Sequence, residues 1–264
     1  MALLDSFPFH QGKLKFQNYD GYEEDYAEEL SSEALYTSIE DWKKVLTWIK
    51  ENIPKTKLID LGAGEARGSV IASLEFPNLS ISSIEYHQER FKHSIAFLKE
   101  HGVYQNNIFQ GNFLKHPLEN YDAFFLYLPV NKNLYHLFEY FFKISQRKKI
   151  TLFCIESHGD LIPFIEDYFE GANLREKLPL NSIRHDQSLH IFEIEKPKKN
   201  LTQEIISFRN QNKKITVKEL HPTLGSYTFE RKLKDVQYGP KKGHITVANP
   251  QRLISLKNIV SIDK

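Results

Sequence analysis

The sequence predicts an α/β fold built on a parallel sheet, followed by a small all-β domain. Residues 57–74 read as a strand, a glycine turn and a helix in succession. Short apolar runs and amphipathic helical patterns then alternate as far as residue 195, which is typical of βαβ units. Beyond residue 213 the pattern changes to short alternating stretches separated by Gly, Pro or Asn, which is typical of antiparallel strands.

The composition indicates a globular protein. The chain has 264 residues, of which 41% are hydrophobic, and one cysteine, Cys154, which excludes disulfides and thiolate metal sites. The longest apolar run, residues 123–130, is too short to span a bilayer. The amino terminus lacks the basic leader of a signal peptide. We therefore expect a cytoplasmic protein without membrane segment or metal.

Charge is distributed unevenly along the chain. Residues 197–264 contain 14 Lys and Arg against 5 Asp and Glu, whereas the preceding residues contain 21 against 29. We predict an N-terminal arm (1–33), a catalytic domain (34–196) and a small basic domain (197–264). The basic domain indicates an acidic partner or contact between the halves; the alternative is solvated surface charge.

The first predicted helix follows Ser38, a reasonable N-cap with Asp41 three residues on. The apolar residues of this stretch recur at helical spacing: Trp42, Val45, Leu46, Trp48 and Ile49. Both tryptophans are expected in the core. The acidic residues 20–29, which precede this helix, form either a loop or helix over the ligand-binding cleft, or an exposed arm.

The glycine turn carries the first site residues. Asp60 stands at the end of the first strand, followed by Gly62-Ala63-Gly64 and Glu65. Glycines at 62 and 64 permit positive φ and the close approach of a ligand. Amides at the start of the next helix add a weakly positive terminus. Dinucleotide sites, methyl-donor sites and plain turns all share this pattern.

The next two strands end in polar residues. Residues 79–86 form a second strand ending in Glu85 and Tyr86. A carboxylate there can accept both ribose hydroxyls of a nucleoside. Residues 107–114 give a third strand and a turn in which Asn112 and Phe113 are placed to meet an adenine ring.

A fourth strand, residues 122–129, is continuously apolar, as expected of a parallel strand covered on both faces. It ends at Leu126 and Tyr127 and stops at Pro129, which cannot donate a backbone hydrogen bond.

The remaining elements continue the alternation. An aromatic helix over 131–144 is expected to pack on the sheet, and a fifth strand follows at 150–155. His158 is either a base or substrate contact, or an ordinary loop residue. Residues 174–178 and 188–194 supply the last two strands.

The order of glycine turn, acid and polar-aromatic turn resembles that of class I S-adenosylmethionine (SAM) methyltransferases over residues 34–195. The resemblance implies a Rossmann-like, seven-stranded sheet closed by an antiparallel hairpin, with SAM as cofactor. It implies cofactor contacts from Asp60, Gly62, Ala63, Gly64, Glu65, Glu85, Tyr86, Asn112, Phe113 and Leu126.

A closer resemblance is to small prokaryotic relatives of the DOT-type, non-SET protein-lysine methyltransferases. It lies in Tyr36-Thr-Ser, Asp60-Leu-Gly-Ala-Gly-Glu65, Glu85, Gln110-Gly-Asn-Phe113 and Phe125-Leu-Tyr-Leu-Pro-Val-Asn131. Three positions depart from that family: Ala66 replaces a glycine, Asn112 replaces an acid, and Thr37-Ser38 replaces Pro-Thr.

This resemblance implies lysine methylation of a protein substrate. Tyr127 and Tyr36 are then expected to line an apolar channel in which burial lowers the pKa of the acceptor amine. Alignment of the reactants is the enzyme's main contribution, without metal, flavin or covalent nucleophile. The Asn/Asp-Pro-Pro-Tyr/Phe sequence of amino-methyltransferases acting on planar nitrogens is replaced by Leu-Tyr-Leu-Pro, which argues against that branch.

The C-terminal residues leave two further hypotheses open. Five alternating stretches over 213–262 predict a small barrel, weakly similar to Sm-like or SH3-like barrels. Its lysines and aromatics are suited to RNA, so the protein is alternatively an RNA methyltransferase. In the other alternative it is a SAM-binding interaction protein without turnover.

Overall fold

A computed structural model describes residues 37–64, 66–100, 107–127, 131–156, 161–181, 188–210, 214–221, 225–237, 244–247, 252–255 and 259–263. A seven-stranded sheet and its helices occupy most of the chain. In chain order these elements are α1 (Ile39–Asn52), β1 (Lys57–Leu61), α2 (Arg67–Glu75), β2 (Ser80–Glu85), α3 (Gln88–Glu100), β3 (Ile108–Gln110), β4 (Ala123–Tyr127), α4 (Asn131–Ser145), β5 (Ile150–Glu156), α5 (Leu161–Tyr168), β6 (Asn173–Pro179) and β7 (Ser188–Ile194).

The strand order of this sheet is β3-β2-β1-β4-β5-β7-β6. β1 pairs in parallel with both β2 and β4, and β2 pairs in parallel with β3. The order therefore reverses between β1 and β4, and ligands of open α/β sheets bind at such a switch point, outside the carboxyl ends of the strands. This is the Rossmann-like order of class I methyltransferases, so the predicted fold of the sheet is confirmed.

Helix α1 begins as the sequence predicts. The Ser38 hydroxyl accepts a hydrogen bond from the Asp41 backbone N–H at 3.1 Å and caps the helix. Trp42 and Trp48 are buried, which confirms that both belong to the core. The Trp42 ring lies on that of Phe125 in β4, with ring centroids 4.2 Å apart, so α1 covers the centre of the sheet.

A second, antiparallel sheet of five strands follows, in the order β11-β10-β9-β8-β12. Its strands are β8 (Lys214–His221), β9 (Gly225–Gln237), β10 (His244–Val247), β11 (Arg252–Ser255) and β12 (Ile259–Asp263). They lie on the five alternating stretches of the sequence, and β9, with 13 residues, is longer than the short strand predicted there. Closure into a barrel stays a prediction.

The chain divides into two compact units, Met1–Pro129 with Leu178–Leu189, and Val130–Lys177 with His190–Lys264. Within the second unit, Tyr135, Phe138 and Phe141 of α4 are buried core residues, as predicted, whereas Tyr140 and Phe142 are half-buried. Phe138 is fully buried and packs against Phe141, Phe164 and Tyr168. The predicted domain boundaries at residues 33 and 196 stay predictions.

A helix that the sequence analysis did not predict, α6 (Leu201–Asn210), also belongs to the second unit. Asn200 and Gln203 cap its start reciprocally: the Gln203 N–H donates to Asn200 Oδ1, and the Asn200 N–H donates to Gln203 Oε1. Ile205 and Ile206 are buried. The helix contacts α4 and α5 as well as β9 and β12, so it joins the two predicted domains.

In the part of the chain that the structure describes, no helix combines the length and apolar character needed to cross a bilayer. The same residues contain no group of three or more His, Cys, Asp or Glu side chains arranged to hold a metal ion.

Candidate cofactor site

The turn between β1 and α2 has the backbone conformation that its glycines predict. Gly62 and Gly64 have φ values of 81° and 58°, in the left-handed region that favours glycine. A Cβ built on Gly62 would meet no heavy atom within 4 Å. Ala66 at the start of α2 also has a positive φ, 55°, a conformation that is uncommon for a residue with a Cβ.

The glycine turn is bonded to the end of β2. The backbone N–H groups of Gly62 and Ala63 both donate to the Ile84 carbonyl at 3.0 Å. The Gly64 N–H donates to Glu85 Oε2 at 2.6 Å. The turn and the predicted ribose-binding acid are therefore one hydrogen-bonded unit.

Glu85 is the centre of this unit. Its side chain is 6% exposed, and its second oxygen, Oε1, accepts from the His87 backbone N–H at 2.7 Å. Burial raises the pKa of Glu85 above its usual range, while the His87 N–H, the Arg90 guanidinium and the Gly64 N–H act in the opposite direction. Each carboxylate oxygen has more than one lone pair, so Glu85 keeps acceptor capacity for a ligand.

Asp60 lies beside Glu85 at the carboxyl end of β1, in register with Ser83 of β2 and Phe125 of β4. It is 5% exposed. None of the described residues donates a hydrogen bond to its carboxyl oxygens. Burial, and then the charge of Glu85, raise the pKa of Asp60 well above its usual range. Asp60 is thus a buried acceptor that a positively charged ligand group would stabilise.

The turn after β3 meets the same end of β2. The Gly111 N–H donates to the Glu85 backbone carbonyl at 2.9 Å. Asn112 caps the short 3₁₀ turn Phe113–Lys115, its Oδ1 accepting from the Leu114 N–H at 2.8 Å. A cleft of about 350 Å³ opens here. It is lined by Ile84, Tyr86, Gln110, Gly111, Asn112, Lys115 and His116.

The sequence-predicted residues thus fall into groups. Hydrogen bonds and charge join Asp60 and the glycine turn to Glu85, and Tyr86 and Asn112 line the neighbouring cleft. Three further predicted residues belong to the turn after β3 and to β4. Phe113 is half-buried in the 3₁₀ turn, Leu126 is buried in register with Leu61, and Tyr127 is half-buried at the end of β4. Tyr36, Glu65 and His158 lie outside the described residues.

Sequence reasoning missed Arg90, Lys115 and His116. Arg90 lies in the first turn of α3, and its Nη1 is 3.9 Å from the position that a Cβ on Gly64 would take. The available signal was a cation five residues after the acid that ends β2. Lys115 and His116 follow the polar turn directly, and burial lowers the pKa of His116.

These residues fit an adenosine-type group with an amino-acid end. Glu85 supplies a carboxylate at a strand end, the glycine turn has no Cβ to obstruct a ligand at Gly62, and Asp60 is a buried acceptor without a donor among the described residues. The arrangement provides binding and orientation; its described residues include no activated nucleophile.

No protein-family model matches the chain, and no curated protein matches its sequence. Several solved structures resemble it. An RNA methyltransferase from Salinibacter ruber, in complex with S-adenosyl-L-homocysteine (SAH), is 14% identical over 60% of this chain and 95% of that chain, with a TM-score of 0.42. A precorrin-6y C5,15-methyltransferase from Geobacter metallireducens is 17% identical over 61% and 90%, with a TM-score of 0.43. The likeness is one of fold and carries no information on substrate.

Proposed function

We propose that this protein is a SAM-dependent methyltransferase that transfers a methyl group to an amine. The observation that carries the proposal is the Glu85 carboxylate, held by the Gly64 and His87 N–H groups where the turns after β1 and β3 meet. A carboxylate at this position of an open α/β sheet is suited to the two hydroxyls of a ribose.

The other residues are assigned by the strand or turn of the sequence in which they lie. The Gly62–Gly64 turn and Asp60 would hold the amino-acid end of SAM, where Asp60 meets the ammonium group. Tyr86, Asn112 and Phe113 would contact the adenine, and Glu65 the region between. When bound, SAM supplies an electrophilic methyl group on its sulfonium sulfur. Leu126 and Tyr127 end the strand next to β1 and would border that methyl group.

For the acceptor we propose a protein lysine. Support comes from Tyr36-Thr-Ser and from Leu126-Tyr-Leu followed by Val-Asn, which resemble motifs of the DOT-type enzymes, and from the half-buried Tyr127 at the end of β4. Aromatic walls at Tyr127 and Tyr36 would exclude water and favour the neutral amine, because burial disfavours the ammonium form.

RNA is the second candidate acceptor, and one register pair favours it. Lys214 in β8 and Lys232 in β9 are directly opposite each other. This pair belongs to a segment, residues 197–264, with 14 Lys and Arg against 5 Asp and Glu, a composition suited to the phosphates of RNA.

Transfer of tritiated methyl groups from SAM to fractionated lysate distinguishes the acceptors. Label removed by protease but not by nuclease supports protein; label removed by nuclease supports RNA. No label, together with calorimetric heat on SAH binding, supports a binding protein without turnover. The Glu85→Ala variant is the control. If SAH gives no heat, or if Glu85→Ala leaves that heat unchanged, the proposed function is wrong.

The Lys214→Glu variant tests the RNA acceptor separately. It should weaken RNA binding and reduce the salt slope of log K by about 1, because one phosphate contact is lost. Lys55→Glu, at an exposed lysine between α1 and β1, is the matched control. Equal RNA binding by both variants would contradict the RNA hypothesis.

A further inference from the structure

Arg90 lies where the glycine turn, β2 and α3 meet. Its Nη1 approaches Gly64, with 3.9 Å to the position of a Cβ built there, and its charge acts on Glu85. Its Nε is buried and has no hydrogen-bond partner. The guanidinium of the half-buried Arg90 therefore extends from the helix toward the glycine turn.

This placement is costly in two respects. Arg90 is the third residue of α3, and a cation in the first turn of a helix is disfavoured by the helix dipole. A buried N–H without an acceptor adds a desolvation cost. Charge attraction to Glu85 is the compensating interaction that the described residues offer.

Glu85 needs such a partner because of its surroundings. The neighbouring carboxyl group is Asp60 in β1, and the groups whose charge lowers the pKa of Glu85 are His87 and Arg90 at the start of α3. Burial favours the protonated form of Glu85. A protonated carboxyl would lose acceptor capacity toward backbone N–H groups and toward a diol.

We propose that Arg90 is a positioning residue: its guanidinium holds Glu85 as a carboxylate against the Gly64 turn, in the form that accepts the ribose hydroxyls of a nucleoside ligand. This inference rests on the proposed function. It concerns how Glu85 is kept ionised and in position before the ligand binds, and Arg90 itself need not touch the ligand.

Calorimetric titration of the full chain with SAH between pH 5.5 and pH 8.5 tests the inference. Arg90→Met should weaken SAH binding about tenfold at the lowest pH of the titration, because the acid limb of the affinity profile moves up by about one pH unit. The difference in SAH affinity between this variant and the wild type should become smaller as the pH rises. Arg90→Lys should restore most of the affinity, since it restores the charge. Lys92→Met, at an exposed lysine of the same helix, should leave the profile unchanged.

A measurement without ligand accompanies the titration. Removing Arg90 should raise the pKa of Glu85 in the folded state further. Stability that depends on a raised acid pKa is present below the unfolded pKa and lost as the pH rises through the folded pKa. The melting temperature of Arg90→Met should therefore fall further below that of the wild type as the pH increases, and Arg90→Lys should reduce this divergence.

The outcomes separate the two proposals. Wild-type SAH binding with identical pH profiles in the wild type and Arg90→Met would overturn the role of Arg90 and leave the proposed function standing. Parallel melting curves against pH for these two proteins would overturn it as well. Absence of SAH binding by the wild type at every pH would overturn the proposed function, and with it the ligand-directed role of Arg90.

Discussion

Two neighbouring carboxyl groups, Asp60 and Glu85, have unequal environments at the centre of the site. Glu85 accepts two backbone N–H bonds and is attracted by Arg90, whereas none of the described residues donates to Asp60. Close like charges in a buried site favour keeping one proton between them. The proton therefore belongs on Asp60, and Glu85 carries the negative charge.

Asp60→Asn is expected to stabilise the folded protein at neutral and higher pH. The pKa of Asp60 is raised on folding, so the folded state binds more protons than the unfolded state, and the wild type loses stability as the pH rises through the folded pKa. The neutral amide does not titrate. Melting temperatures from pH 4 to pH 9 should show the variant's advantage growing with pH.

Glu89→Gln, at an exposed acid in α3, is the matched control for that experiment and should follow the wild type. An Asp60→Asn variant that is less stable than the wild type across the whole range would contradict an uncompensated, buried Asp60 carboxyl group.

Among the elements, α1 and α2 pack through a close contact at Gly68. A Cβ built on this buried glycine would lie 2.6 Å from Trp42 Cη2 and 2.7 Å from Trp42 Cζ2. Trp42 is itself fixed between α2 and the Phe125 ring of β4. Glycine at position 68 therefore sets how closely α2, which follows the glycine turn, can lie on α1.

Gly68→Ala should destabilise the protein by about 1–2 kcal/mol. Overpacking in a core costs about 1–3 kcal/mol, and the better helix propensity of alanine returns up to about 1 kcal/mol. Urea unfolding measures the difference. Trp42→Phe removes the ring atoms that would clash, so adding Gly68→Ala in that background should cost less than in the wild type. Equal costs in both backgrounds would contradict the contact.

Local signals predicted the elements near the site. The Ser38 cap, the glycine turn, the acid ending β2 and the buried Trp42 all depend on short-range patterns, and the structure confirms them. Arg90 was missed because the apolar periodicity of α3 predicts only that Arg90 lies on the polar side of the helix. The direction of its side chain toward Gly64 depends on how α3 packs. Asn112 was expected to meet adenine, and its oxygen also caps the 3₁₀ turn.

Helix α6 was also missed, although its signal was present. The Asn200-x-x-Gln203 spacing forms a reciprocal capping pair ahead of the apolar Ile205 and Ile206. The charged, proline-containing stretch before it indicated a boundary, and this outweighed the cap. The structure shows that this boundary is followed by a helix packed against α4 and α5.

For the whole molecule, α6 links helices that precede residue 196 to strands that follow it, through its contacts with α4, α5, β9 and β12. Ile205 and Ile206 are buried, and Gln203 Nε2 donates to the Tyr168 carbonyl at 2.6 Å. Removal of α6 would expose apolar surface of α4 and α5. Truncation experiments on the basic residues should therefore begin after α6.

A chain ending at Lys196 should be at least about 3 kcal/mol less stable than a chain ending at Asn210, because two buried isoleucines are lost at about 1.5–3 kcal/mol each. Urea midpoints of the two truncated proteins, with the full chain as reference, measure the difference. Coincident midpoints would contradict the packing role of α6.

The bonds that join the glycine turn and the Gly111 turn to β2 are donated by main-chain N–H groups, not by side chains. Every amino acid except proline brings such a group. These backbone hydrogen bonds around Glu85 can therefore persist while the amino acids of the surrounding motif change, as at Ala66 and Asn112. In this part of the protein, the pattern of backbone hydrogen bonds is a better guide to common ancestry than the amino-acid sequence.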